Sequence, residues 1–313
     1  MTLSIIIISY NTCDLMRNCL ASLAAYPPAC EYAITVVDNA SADDTVAMIR
    51  REFPGAGVIA NDANLGYAAA INQGLRQGSS DLVLILNSDI EVREGELDTL
   101  LGFMAATPEA GMCAPQLVLP DGRPQPTWRR GFTLGHFPRQ QLLLDKLSHR
   151  RERPTDAEAE GTPREVEHLD GAALLVRRAA IEAVGLMDEG YWMYCEDSDF
   201  CQTFRAAGWS LVYVPDATML HVLGGSSKTA RAEMIAAYNH GACRYFGKHH
   251  GPAQARSAKL IGLAGGLLRL ALWGVPTVLT LGLVGKLRKQ SVLFAKTVWL
   301  TLQPPRRPVS RKA

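Results

Sequence analysis

Past Glu233 the chain has no acidic residue, although thirteen of its 32 Lys and Arg residues lie there. All 31 acids fall in the part before, so the formal net charge of +1 conceals an acidic body joined to a basic tail. A basic tail suits an anionic membrane surface or a nucleic acid. This one carries an apolar span and no interleaved aromatic pattern for base stacking, which favours lipid and predicts no nucleic-acid partner. The seven cysteines (Cys13, Cys19, Cys30, Cys113, Cys195, Cys201 and Cys243) are odd in number and never spaced CxxC, which excludes a disulfide framework and a zinc cage. They read as reduced packing thiols. No GxxxxGK[ST] and no GxGxxG follows any strand-like run, which speaks against a P-loop kinase and a nicotinamide dehydrogenase. The opening "LSIIIISYN" is too short and lacks the basic lead of a signal peptide, so it reads as a buried strand and the body is expected in the cytosol.

What is present is alternation. With 313 residues and 48% hydrophobic content, the chain can bury one large core or two smaller ones. "LSIIIISY", "YAITVVDNA", "GVIAND" and "DLVLILNSDI" read as strands, and between them "DLMRNCLASLAAY", "SADDTVAMIRREF" and "GYAAAINQGLRQG" carry helical spacing. Strands separated by single helices predict an α/β fold with a doubly wound, mainly parallel sheet and helices on both faces. Ligands of such sheets bind outside the carboxyl ends of the strands. Polar residues gather at those ends: Ser9, Tyr10 and Asn11; Asp38, Asn39 and Ser41; Asn61, Asp62 and Asn64; Asn87, Ser88 and Asp89. Any one group could be an ordinary turn or cap. Four on one predicted edge point to a ligand.

A second concentration is "MYCEDSDF", where Glu196, Asp197 and Asp199 fall within four residues. Acids in a first helical turn favour the positive end of the dipole, and "FCQTFRAAG" reads as the helix that follows, closed by Gly208. The alternative is a catalytic base, because neighbouring acids raise one another's proton affinity toward a working pH.

These segments, with "LDGAALLVRRAAIEAVGLMDEG" and "VPDATMLHVLGGSS", resemble in order those of the family 2 inverting glycosyltransferases of the GT-A fold, most closely a bacterial rhamnosyltransferase-like branch. The resemblance covers residues 3 to about 227. It implies a GT-A catalytic domain over 1–227, with an irregular insert at about 123–168 where the period is lost; the charge and apolar span beyond it predict a helical, membrane-associating basic tail over 228–313. It implies that Asp38 meets the base and ribose of a nucleotide, as an acceptor-only carboxylate can, with Ser9, Tyr10, Asn11, Asn39, Asn64 and Gly66 around the same pocket. Asn87, Ser88 and Asp89 stand where the family has its DXD motif; Asn replaces the first Asp, leaving Asp89 as the acidic ligand of a divalent cation, Mg²⁺ or Mn²⁺. His221 matches a histidine near the diphosphate or metal, and is otherwise structural; as a ligand it favours Mn²⁺.

Asp197 matches the second residue of the family's ED motif and is the expected general base. Glu196 is expected to orient the acceptor or cap the helix. Gly171 is expected to allow close backbone approach beside sugar and acceptor, with Asp170 a weaker candidate, or to be a plain turn glycine. The implied function is transfer of a sugar, rhamnose from dTDP-rhamnose, to a lipid-linked or polysaccharide acceptor in cell-envelope glycan synthesis. A UDP-hexose donor and a non-catalytic nucleotide-sugar-binding protein are the alternatives. Between Gly122 and His168 the period is lost; the first part is expected to meet the acceptor and the charged second part to be solvated.

Residues 260–285 form an apolar span interrupted by Arg269 and Pro276. About twenty such residues cross a bilayer, but a central arginine opposes it. An embedded or interfacial segment is expected, at the inner face of the cell membrane, against the alternative of core helices packed on the body.

Overall fold

The computed structural model describes residues 1–144, 161–222 and 230–305. Strands β1 (Thr2–Ser9), β2 (Glu31–Asp38), β3 (Gly57–Ala60) and β4 (Leu82–Asn87) alternate with helices α1 (Cys13–Ala25), α2 (Thr45–Glu52) and α3 (Tyr67–Leu75). Next come β5 (Ile90–Glu91), α4 (Glu96–Ala106), β6 (Ala110–Val118), β7 (Pro124–Gln125), β8 (Trp128–Arg129) and α5 (His136–Gln141). β9 (Arg164–Glu165), β10 (His168–Leu169), β11 (Ala173–Arg177), α6 (Arg178–Val184), α7 (Glu196–Ala206) and β12 (Ser210–His221) complete the body. The stretch expected to be irregular therefore holds short strands and a helix in its described part; its charged portion, 145–160, lies outside the described residues, as does the expected boundary at 227/228.

The main sheet runs β3-β2-β1-β4-β11-β6-β12-β5. β1 pairs in parallel with β2 and β4, β2 with β3, and β6 with β12, while β11 runs antiparallel to both β4 and β6. The run Ile5–Ile8 of β1 is unbroken apolar because the strand is covered twice: Leu3, Ile5 and Ile7 pack with α1, α2 and α4, and Ile6 and Ile8 with α3, α6 and α7. Helix α1 meets the first layer through Met16, Cys19, Leu20 and Leu23, one stripe at helical spacing.

Register fixes the rim. Ser9 lies opposite Asp38, Asp38 opposite Ala60, and Ile8 opposite Asn87, so three of the polar groups end level with one another. Antiparallel β11 begins at the same edge, since Ala173 pairs with Leu86 and the Asn87 N–H donates to the Ala172 carbonyl at 2.9 Å. β12 returns antiparallel to β5, with His221 opposite Ile90, which brings the histidine beside Asp89.

Among the described residues the C-terminal part is three helices: α8 (Arg231–His250), α9 (Pro252–Leu279) and α10 (Gly285–Leu302). It docks on the body through a third core of Phe137, Tyr191, Cys195, Tyr245 and Phe246, with Phe132 5.0 Å from Phe246 between ring centroids. Buried Asp199 of α7 adds polar contacts: Lys248 Nζ and His249 Nε2 at 2.7 Å, and the Tyr191 hydroxyl at 3.2 Å. The apolar span is not one continuous element. It stops at Leu279, turns, and α10 runs back beside α9, with Gly266 against Val298 and the Thr277 and Ser291 hydroxyls 2.7 Å apart. Helix α9 is long and apolar enough to cross a membrane by length and composition, yet only 17% of its most apolar window is buried. At the turn Val278, Leu279, Leu281 and Leu283 are 73–86% exposed.

Candidate active site

The nucleotide-side residues form a hydrogen-bonded rim. Asp38, at the end of β2, is buried and accepts from the Ser41 N–H at 2.9 Å and the Ser41 hydroxyl at 2.5 Å. Asn11 sits at φ +55° on the neighbouring loop; its N–H donates to Ser41 Oγ at 2.8 Å, and its Oδ1 accepts from the Ala42 N–H at 2.7 Å. Tyr10 is exposed on this rim. Two expected contact residues face inward instead. Ser9 is fully buried with its hydroxyl 3.0 Å from that of Thr12. Asn39 is committed to the loop before α3, donating to the Gly66 carbonyl at 3.0 Å and accepting from the Leu65 N–H at 3.1 Å.

That loop is held by a glycine requirement. Gly66 has φ +88°, and a Cβ there would lie 2.6 Å from the Trp192 carbonyl oxygen. Asn64 Oδ1 accepts from the Gly66 N–H at 3.0 Å, and the Tyr67 N–H donates to Trp192 O at 2.8 Å. Tyr67 is then aimed under the rim. Its hydroxyl lies 2.9 Å from Asn87 Oδ1 and 3.1 Å from the Gly171 carbonyl. Burial and then the charges of Glu196, Asp197 and Asp89 push its pKa up, so it stays a phenol.

Beside Asn87, Asp89 Oδ1 stands 3.3 Å from His221 Nε2, and His221 Nδ1 is 2.9 Å from Gln125 Oε1. An Nδ1–H donor to Gln125 leaves Nε2 as a bare lone pair facing a carboxylate oxygen. Two lone pairs at that distance repel unless a cation or proton lies between them. Cis ligands at about 2.1 Å from an octahedral ion stand about 3 Å apart, so the pair fits a divalent cation, with Gln125 fixing the ring tautomer.

On the other side of Tyr67, Gly171 leaves room for the helix carrying Asp197: a Cβ on Gly171 would come 3.3 Å from Asp197 Cβ. Tyr194 and Cys195, both at φ +68°, form the turn into α7. Such conformations cost on the order of 1 kcal/mol or more each, and here they bury Glu196 while leaving Asp197 partly open. Asp197 Oδ1 accepts from the Ser198 N–H at 2.7 Å. Oδ2 lies 3.6 Å from His168 Nε2 and 3.8 Å from Arg129.

Arg129 also binds Asp170, through Nε at 2.9 Å and through its terminal nitrogen, and His168 Nε2 is 3.2 Å from Asp170. Burial opposes the charge on His168, but Cys201, Asp197 and Asp170 raise its pKa to about 10. Burial would lift Asp170, but His168 and Arg129 hold it at about 2. His168, Asp170 and Asp197 come close enough to share a metal. The Arg129 guanidinium lies against the same carboxylates, bound to Asp170 and 3.8 Å from Asp197.

The charge crowding expected in the acidic triplet falls on Glu196. Its pKa rises to about 8, first because it is buried and then because Asp197 is adjacent, and its Oε2 has no hydrogen-bond partner. Asp197 meets Arg129 and His168, and Asp199 serves the C-terminal helices. Sequence reasoning missed Tyr67, Gln125, Arg129 and His168. The signal available for His168 was its place two residues before Asp170.

Asp197 also lines a cavity of about 770 Å³ that runs to the C-terminal helices.

Residues 4–185 match the family described as Glycosyl transferase family 2. Over 260 residues the chain is 33% identical to the N-acetylglucosaminyl-diphospho-decaprenol L-rhamnosyltransferase of Mycobacterium tuberculosis, covering 76% of this chain and 81% of that one. It is 26% identical to Rhamnosyltransferase WbbL of Escherichia coli, covering 69% and 82%. Among solved structures, the mannosyltransferase PcManGT of Pyrobaculum calidifontis, in complex with GDP-Man and Mn²⁺, superposes with TM-score 0.53 at 17% identity, over 96% of this chain and 86% of that one.

Proposed function

The chain belongs to glycosyl transferase family 2, and from that premise we propose that it is an inverting rhamnosyltransferase using dTDP-rhamnose, with Asp197 as general base. The relatives named as rhamnosyltransferases support the sugar, and the setting proposed for this chain is cell-envelope glycan synthesis. The acceptor is a glycan or a lipid-linked sugar. The observation that carries the reading is the arrangement around Tyr67: one hydroxyl bridges Asn87, next to the cation pair, and Gly171, against Asp197.

In the reaction the acceptor hydroxyl approaches Asp197 Oδ2, since Oδ1 is taken by the Ser198 N–H and the neighbouring cations stand beyond hydrogen-bond length from Oδ2. Its oxygen forms a bond to the anomeric carbon as the bond from that carbon to the diphosphate breaks, and the proton passes to Oδ2. Arg129 and His168 keep the carboxylate oriented. Asp38 receives the nucleoside. A Mg²⁺ or Mn²⁺ ion held by Asp89 and His221 would neutralise the charge that builds on the departing diphosphate. The exposed apolar turn between α9 and α10, followed by Lys286, Arg288 and Lys289, supports attachment at the inner face of the cell membrane, apolar side chains in the leaflet and bases at the lipid phosphates.

Asp197→Asn tests the base. Transfer from dTDP-rhamnose with either cation should fall about 10²- to 10⁴-fold, while calorimetric binding of the sugar nucleotide is retained. A fully active variant overturns the assignment. A panel of sugar nucleotides scored for protection against thermal unfolding identifies the donor; protection by UDP-hexoses alone would replace the dTDP reading.

A further inference from the structure

The cavity of about 770 Å³ is bordered by Asp197 but not by Asp38, Gly66, Asp89 or His221. It therefore lies away from the nucleotide rim, in front of the residue placed to take a proton. Its other walls come from body residues such as Phe132 and Gln141 and from the C-terminal helices, including Gly262, Gly266 and Arg269 of α9 and Phe294 of α10. Among its lining residues three are arginines (Arg129, Arg231 and Arg269) and one, Asp197, is an acid. Arg129 is held by Asp170, which leaves two arginines without a carboxylate within 4 Å among the described residues.

Arg269 is the unusual one. It projects from a long, apolar helix, and among the described residues its guanidinium meets backbone carbonyls: Gln141 and, at 3.0 Å, Gly265 through one nitrogen, Gln140 at 3.1 Å through another. Burial lowers its pKa, so the surroundings oppose the charge. Gly265 makes the arrangement possible, because a Cβ there would stand 2.8 Å from the Gln141 carbonyl. A half-buried cation with no carboxylate within 4 Å among the described residues keeps part of its desolvation cost; an anion arriving in the cavity would offset it. Beyond Arg269 the same helix runs to the exposed Val275, Val278 and Leu279.

We propose that this cavity is the acceptor subsite and that Arg269, assisted by Arg231, binds a phosphate group of a lipid-linked acceptor. The hydrocarbon chain leaves along the apolar α9–α10 surface, and the sugar faces Asp197. The assignment rests on the transferase reading above and selects the lipid-linked acceptor over a phosphate-free polysaccharide.

The test is binding by calorimetry to the full chain without donor, so that it does not depend on turnover. The probes are N-acetylglucosaminyl diphosphofarnesol, octyl N-acetylglucosaminide and N-acetylglucosamine 1-phosphate. Wild type should prefer the diphosphofarnesol probe over the other two. In Arg269→Gln its advantage over the octyl glycoside should fall about 10- to 100-fold, as expected for loss of a hydrogen-bonded charge, and Arg269→Lys should restore part of it. An unchanged advantage overturns the phosphate role of Arg269. Equal binding of the farnesyl probe and the sugar phosphate overturns the lipid carrier, and displacement of the probe by dTDP assigns the cavity to the donor instead. Failure of the transferase reading would appear separately, as no sugar transfer by the wild-type chain from any sugar nucleotide of the panel.

Discussion

Asp199→Asn removes one negative charge two residues from Asp197, and the structure gives the two substitutions opposite consequences. Asp199 accepts from Lys248, His249 and Tyr191 and its side chain is 4% exposed. Breaking a buried charge pair from one side costs about 3–5 kcal/mol because the partner charge is stranded. Lys248 is 40% exposed and regains water, which trims the expected loss to about 2–4 kcal/mol. For a chain of this length that corresponds to a melting temperature lower by roughly 4–10 °C. Scanning calorimetry measures it, together with kcat below the transition. The folded variant should keep its turnover, since Asp199 faces α8 and not the cavity. An unchanged melting temperature with lost turnover would refute the structural role and move the catalytic acid two residues along the helix.

Asp89→Asn should abolish metal-dependent protection by the donor, and Gln125→Ala should weaken metal affinity about 10- to 100-fold by freeing the His221 ring; titrating Mn²⁺ against thermal stability reads both. Glu196 has a folded pKa of about 8 against an ordinary 4.5, so the native state holds a proton that the unfolded chain releases. Its contribution is complete below pH 4.5 and is lost as pH rises to 8. Wild type should lose stability relative to Glu196→Gln across that window and run parallel to it above. Leu281→Asp with Leu283→Asp should reduce binding to anionic phosphatidylglycerol vesicles at least tenfold, given about 1.5–3 kcal/mol per buried Leu, without lowering the melting temperature of the free protein; unchanged vesicle binding would refute docking at the turn.

Much of the rim was legible because a parallel sheet puts every strand's carboxyl end on one edge, so Asp38, Asn87 and Asp89 announce themselves by following apolar runs. The cations around Asp197 were not. Arg129 and His168 come together through the antiparallel pairing of β8 with β10, two residues each, at opposite ends of a stretch without hydrophobic period. Strands that short leave no alternation to read. Ser9 and Asn39 are residues of the same type at the same edge whose side chains tie loops together. Within the apolar span, hydropathy averages over Thr280 to Val284 and does not register the reversal of direction.

That reversal has a mechanical corollary. Since α9 and α10 depart from the body and come back to it, no stretch of polypeptide has to be threaded through a bilayer for the turn to engage one. Hydrophobic thickness then places no demand on the element, and release requires withdrawing only a few side chains.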